Sequence, residues 1–194
     1  MRSGERFFMR WKGRVIHSGI HVLSHLRLLL RWVFYSMLMG VLVGLIGIAF
    51  VYAIQCATAF RVGHWWTILL LPIGGLLIVW LYKVSRDQND KGTNMVLASL
   101  RSEIELPVQM APLIFVSTVV THFCGGSAGR EGAALQLGGS IGSVLGRLFR
   151  LAERDKQVLM LCGMSAAFSA IFRTPIAAPV FAMEVVCVGA MRYA

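Results

Sequence analysis

The sequence predicts an all-α polytopic membrane protein, and three observations carry that prediction. Of 194 residues, 57% are hydrophobic and only 14% charged, with a mean hydropathy of +0.69; soluble domains rarely exceed about half apolar. Residues 34–60 read FYSMLMGVLVGLIGIAFVYAIQCATAF without a charge, more than the about 20 residues that cross a bilayer. Later apolar segments are cut by polar, glycine- and proline-containing breaks, as in the discontinuous helices of transporters. The first apolar run is too long for a signal-peptide core and lacks a small-residue cleavage site.

The net charge of +10 comes from bases that flank apolar segments rather than form one patch. Arg2, Arg6, Arg10, Lys12, Arg14, Arg27 and Arg31 all precede the first span. This positive-inside pattern places the N-terminus in the cytoplasm, where the same arm can meet anionic lipid. Nucleic acid is excluded as a partner. The chain divides into a basic cytoplasmic segment, 1–31, and a transmembrane domain, 32–194. In the first, His17, His21 and His25 share one helical face. No carboxylate or cysteine joins them, so a polar face at the membrane surface is favoured over a metal-binding or pH-sensing stripe. Cys56, Cys124, Cys162 and Cys187 sit singly among apolar residues and read as small buried hydrophobes. Neither metal nor cofactor is expected.

The first span runs outward over 34–60, and Trp65 and Trp66 mark the far interface. Residues 67–82 return inward, with Pro72, Gly74 and Gly75 setting a kink or close packing. The polar stretch 83–101 carries Lys83, Arg86, Lys91 and Arg101, which suit a cytoplasmic position. Inside it, Lys91-Gly92-Thr93-Asn94 leads into a helix with Thr or Asn as cap. Residues 107–123 run outward again; Pro107 and Pro112 lie in the first turns, where proline costs least. Residues 133–148 form a short helix whose Gly138, Gly139, Gly142 and Gly146 make small faces for tight contact. It ends at the bases Arg147 and Arg150, a cytoplasmic mark. An apolar helix over 158–172 is interrupted at Arg173-Thr174-Pro175 and resumes over 176–188. No further domain is expected after Ala194.

Between the third apolar segment and the glycine-faced helix lies Gly125-Gly126-Ser127-Ala128-Gly129-Arg130-Glu131-Gly132. Ionisable residues at membrane depth are costly and mark transport or proton handling. Broken helices leave backbone N–H groups open at their N-termini, and the helix dipole adds about half a positive charge there. Glycine lets the backbone approach closely. Residues 129–133 are therefore a candidate cradle for a dehydrated anion. The Glu131 carboxylate can occupy the anion's own place and leave it on protonation, acting as gate and proton carrier together. The competing reading, an Arg130–Glu131 ion pair in a packed turn, stands level with it.

The motif resembles the G-x-x-x-G-R/K-E-G-P/T/A pattern of the CLC family of chloride channels and proton-coupled anion exchangers. It continues through Gln136-Leu137-Gly138-Gly139-Ser140-Ile141-Gly142. The later runs, Gly163-Met164-Ser165-Ala166-Ala167-Phe168-Ser169-Ala170 and Phe172 through Val185, are similar to the family's next two helices. The resemblance covers about residues 34–194 and implies a bundle of tilted and broken helices, the first half of an inverted repeat.

By that resemblance Glu131 is the gating and proton-transfer glutamate, and Gly129, Arg130, Gly132 and Ala133 surround the anion. Lys91, Gly92 and Thr93 stand where the family's first filter motif, usually G-S-G-I-P, contributes anion ligands. Here no serine is present and Lys91 takes its place, a departure from the chloride pattern. With Met110-Ala111-Pro112-Leu113 and Thr121-His122-Phe123, this text looks more like the bacterial branch that includes fluoride–proton exchangers. Val185 follows Glu184 where many exchangers carry a second glutamate on the internal proton route; Glu184 itself is expected to be structural. The implied function is transmembrane anion transport, as a chloride channel or anion/proton antiporter. A fluoride/proton antiporter is the first alternative and a non-transporting membrane scaffold the second. No enzyme is expected, for want of a Walker-type loop. Implied partners are a halide anion (chloride or fluoride), protons, the lipid bilayer of a bacterial-type plasma membrane, and a second copy in the full-length form. One half of the repeat, taken alone, would lack half of the anion's ligands.

Overall fold

The computed structural model describes residues 3–85, 93–101 and 106–187. Every element among them is helical: α1 (Ser3–Gly63), a 3-10 turn (Trp65–Leu70), α2 (Leu71–Val84), α3 (Thr93–Arg101), α4 (Met110–Phe123), α5 (Glu131–Leu148), α6 (Glu153–Phe172) and α7 (Ala177–Cys187). The first proline of the chain is Pro72, so nothing removes a backbone donor before Gly63. The boundary expected between residues 31 and 32 falls inside α1, and the compact units divide between Leu38 and Met39. In the first unit Arg31 lies 5.5 Å from the Tyr35 ring centre, in cation–π range. His25 is exposed; the side chains of His17 and His21 lie outside the described residues.

In the second unit, α1 buries Met39, Val43, Phe50, Ile54 and Ala57. Their spacing of three, four and seven makes one stripe. Val41, Leu45, Ile48 and Tyr52 are exposed on the other side. Two segments, His25–Gly63 and Trp65–Val84, are long and apolar enough to cross a membrane, while Met110–Phe123 is apolar but shorter.

The centre of this unit is α5. It is buried without a break from Ala134 to Ser140, so it faces protein on all sides. Its glycines are why it fits. A Cβ on Gly138 would strike the Gly163 backbone of α6 and come within 2.8 Å of the Ala167 Cβ. One on Gly142 would lie 2.7 Å from the Met160 Cα. Gly139 serves another neighbour, with Val96 of α3 at 2.7 Å. Gly146 covers the stem of Lys156, whose amine lies 3.5 Å from Glu153 Oε1. The residue is only 6% exposed. Around this axis α3, α4, α6 and α7 close one core that holds Val96, Leu106, Met110, Leu135, Met160, Met164 and Ala182. Phe50, Ile54 and Leu137 form a second, where the Phe50 and Phe115 rings pack at 5.4 Å.

The break expected at 173–175 is present. Arg173 caps α6 with φ 58° and ψ 37°, a left-handed turn that ends the helix, and α7 starts at Ala177. Phe168 spans the break, its ring tilted against Phe172 at 4.4 Å and Phe181 at 4.6 Å. Cys124 is buried, its sulfur against Gly74, and Cys162 is half-buried; Cys56 is exposed, contrary to the expectation for it, on a helix face rich in exposed apolar side chains. The Cys187 side chain is outside the described residues.

Candidate functional site

The turn that follows α4 is a Schellman motif. Gly125 takes φ +87°, its N–H bonds the His122 carbonyl at 3.3 Å, and the Gly126 N–H reaches back to the Thr121 carbonyl at 2.8 Å. The pair Gly125-Gly126 thus stops α4 and turns the chain toward α5. Gly125 has a second reason to be glycine: a Cβ there would lie 3.3 Å from Ile68 Cγ1 and 3.5 Å from Arg61 Cδ.

Residues 127–130 are exposed and lead directly into α5. The helix begins at Glu131, two residues before the predicted start, with Arg130 as N-cap and no side chain bonded to the cap. The first backbone bond is Ala134 N–H to the Arg130 carbonyl, 2.9 Å. The N–H groups of Glu131, Gly132 and Ala133 therefore have no partner within the helix. The Glu131 side chain lies beside the preceding loop: its Oε2 is 3.2 Å from where a Gly129 Cβ would stand. Gly132 and Ala133 are half-buried, and Ala133 packs against both cores. Arg130 and Glu131 are exposed, and neither forms an ion pair among the described residues. The packed ion-pair reading of this turn is not what the structure contains.

Of the filter residues named from sequence, Lys91 and Gly92 lie outside the described residues. Thr93 is the first helical residue of α3, which packs against α5. Glu184 is exposed on α7.

Beside the loop before α5 is a cavity of about 270 Å³. Arg61 from α1, His122 from α4 and Arg130 line it together with residues 125–128, and no carboxylate does so among the described residues. Arg61 Nε is buried without a hydrogen-bond partner there. His122 Nδ1 is 2.8 Å from the Thr118 carbonyl. Sequence reading passed over Arg61, because sixty-nine positions separate it from Arg130. The signal was available: Arg61 is the first charge after the long apolar run, directly before the tryptophans.

Residues 125–129 also spell Gly-x-Ser-x-Gly, and residues 17–21 spell His-x-x-x-His. The first pattern needs a strand before it to expose a nucleophilic serine. Here a helix precedes it, so Ser127 is in no such elbow.

The described residues thus form a bundle of short and broken helices around a glycine-faced axis, with a charged pair at one open helix start. Residues 74–194 match the family model described as voltage gated chloride channel. The chain belongs to that family, the CLC proteins, whose members include channels and proton-coupled antiporters. It is 35% identical over 164 residues to the "Chloride/fluoride channel protein" of Pseudomonas syringae pv. tomato, covering 84% of this chain and 36% of that protein. It is 29% identical over 166 residues to the "H(+)/Cl(-) exchange transporter ClcA" of Klebsiella pneumoniae, covering 78% of this chain and 35% of that one. A crystal structure of a CLC-type fluoride/proton antiporter superposes with a TM-score of 0.75 at 39% identity, over 80% of this chain and 40% of its own. The chain thus spans a little over a third of the length of the curated relatives it matches.

Proposed function

We propose that this chain forms part of a proton-linked anion path, with Glu131 as gate at the α5 N-terminus and fluoride as the favoured substrate over chloride. One observation carries the gate: Glu131 opens a helix whose first three N–H groups have no partner within it, and its Oε2 lies 3.2 Å from where a Gly129 Cβ would stand. A negative group there gains from both the dipole and the open donors. An anion gains in the same way, so the two compete for one place. Protonation removes the carboxylate's charge and its claim on the site. Gly129, Arg130, Gly132 and Ala133 shape the opening, with Lys91, Gly92 and Thr93 as further anion ligands. The higher identity to proteins whose names include fluoride supports that substrate. The basic residues ahead of the first span put the N-terminus in the cytoplasm, and the protein works as a dimer in its membrane.

The test is anion flux from liposomes by the full-length gene product. Glu131→Ala should abolish the dependence of flux on pH, because no titratable side chain then competes for the site. Flux with unchanged size and unchanged pH dependence would sink the gate. Fluoride against chloride flux decides the substrate.

A further inference from the structure

We propose that the N-terminal part of α1 carries a site for an anionic phospholipid. Arg27 and Arg31 clasp its headgroup phosphate, and the apolar side chains that follow them take its acyl chains. This site does not depend on the anion gate.

Charge is the first argument. Between Glu5 and Asp87 the chain has no acidic residue, so no carboxylate stands nearer to these arginines along α1 than Glu5. Arg27 and Arg31 are both exposed and one helical turn apart, where like charges oppose the helix. A phosphate between them removes that opposition. Guanidinium suits the task, because its planar fork grips a phosphate through two N–H groups at once. Arg31 is also held in place. It lies 5.5 Å from the Tyr35 ring centre, and that ring meets Trp32 edge to face at 6.0 Å and 88°. A guanidinium carries five donors, so the ring contact leaves enough for a phosphate.

Depth is the second argument. No charge follows Arg31 until Arg61. As helix, residues 32–60 extend about 44 Å at 1.5 Å per residue. A bilayer with its headgroup regions measures about 40–45 Å. Arg31 therefore falls in the layer where lipid phosphates lie, with Arg27 one turn further toward water. Trp32 and Tyr35 are of the ring types that gather at that layer.

The surroundings separate a lipid from a free phosphate ion. Leu28, Leu29, Leu30, Val33 and Phe34 are 48% to 63% exposed. Counted in threes and fours from Arg27, positions 31, 34, 35 and 38 form one row. A phosphate at the arginines thus has Phe34, Tyr35 and Leu38 beside it on the membrane side. A molecule with an anionic head and a hydrocarbon tail satisfies both parts of this row, and inorganic phosphate satisfies only the first. The head must be net negative, since a zwitterionic one brings its own cation among the arginines.

The experiment titrates the full-length gene product in detergent with phosphatidylglycerol or phosphatidylcholine and counts retained lipids by native mass spectrometry. A phosphatidylglycerol with a photoreactive acyl chain then maps the place by peptide sequencing. The parent should retain phosphatidylglycerol in preference, with crosslinks within residues 28–38. The double substitution Arg27→Gln, Arg31→Gln should weaken its retention by roughly thirtyfold, the scale of two basic residues at a membrane surface, and remove those crosslinks. The double substitution Arg27→Lys, Arg31→Lys keeps the charge and loses the fork, so its affinity should fall between the two. Equal retention of the two lipids by the parent, or unchanged crosslinking in the glutamine variant, overturns the site. So does parental affinity in the lysine variant, which would leave only general attraction to surface charge. Displacement of the lipid by inorganic phosphate at matched concentration would overturn it as well. If the glutamine variant does not fold, the lysine variant and the phosphate competition decide. The gate stands or falls separately, on the flux of Glu131→Ala.

Discussion

The turns on either side of α5 are built alike and occupied differently. After α4, Gly125 takes the left-handed position, and the Gly126 N–H reaches the Thr121 carbonyl. After α5, Arg150 takes it with φ 50°, and the Leu151 N–H reaches the Gly146 carbonyl at 3.0 Å. Both close a helix by the same hydrogen bonds. Arg150 is exposed, so its Cβ points into open space and only the backbone strain remains. Gly125 faces Ile68 and Arg61, so a Cβ would meet neighbours as well. The difference separates two demands that glycine usually meets together, a conformation and an absence of volume. Where the chain needs only the conformation, it tolerates arginine. Where the cavity also needs the volume, it uses glycine.

Three substitutions pull these demands apart, each read as the unfolding midpoint of the purified protein in detergent. Gly138→Ala isolates volume, since no left-handed φ is involved and the obstacle is the Gly163 backbone. Overpacking against backbone should cost about 3 kcal/mol or more, and a midpoint like the parent's would show that α5 and α6 can part freely. Gly125→Ala combines both demands. The left-handed backbone alone costs about 1–2 kcal/mol, and Ile68 Cγ1, 3.3 Å from the new Cβ, would also have to give way, so stability should fall by more than backbone strain alone. A loss no larger than that strain would mean Ile68 yields freely. Arg150→Gly isolates conformation. It should raise stability by up to about 1 kcal/mol and leave anion binding alone.

How far the sequence disclosed this follows from the reach of each signal. The helix stop at Gly125-Gly126 and the break at Arg173-Thr174-Pro175 are local, encoded by residues whose backbone preferences show in one dimension. The glycine face of α5 is also legible, because its period is helical. The helix N-terminus in the motif is legible too, though α5 starts at Glu131 rather than at residue 133, because Arg130 and Glu131 are themselves its cap and first residue. Arg61 was missed outright. It joins the site only because α1 ends where the loop before α5 begins, and no local pattern encodes that meeting. The exposure of Cys56 shows the converse limit. Cysteine is usually buried in a water-soluble interior, but a helix whose outer face is itself apolar does not need to hide it.

Lys156 offers a clock for motion at the end of the bundle where α5 turns into α6. Its stem lies beneath Gly146 and its amine beside Glu153, with little of the residue open to solvent. An acylating reagent reaches a side chain held down at its stem more slowly than a free one, and a parting of α5 and α6 would speed it. The rate at which Lys156 is labelled, set against an exposed lysine such as Lys83, would therefore count those separations directly. Any event that loosens the glycine-packed contact would be recorded as mass added at one residue.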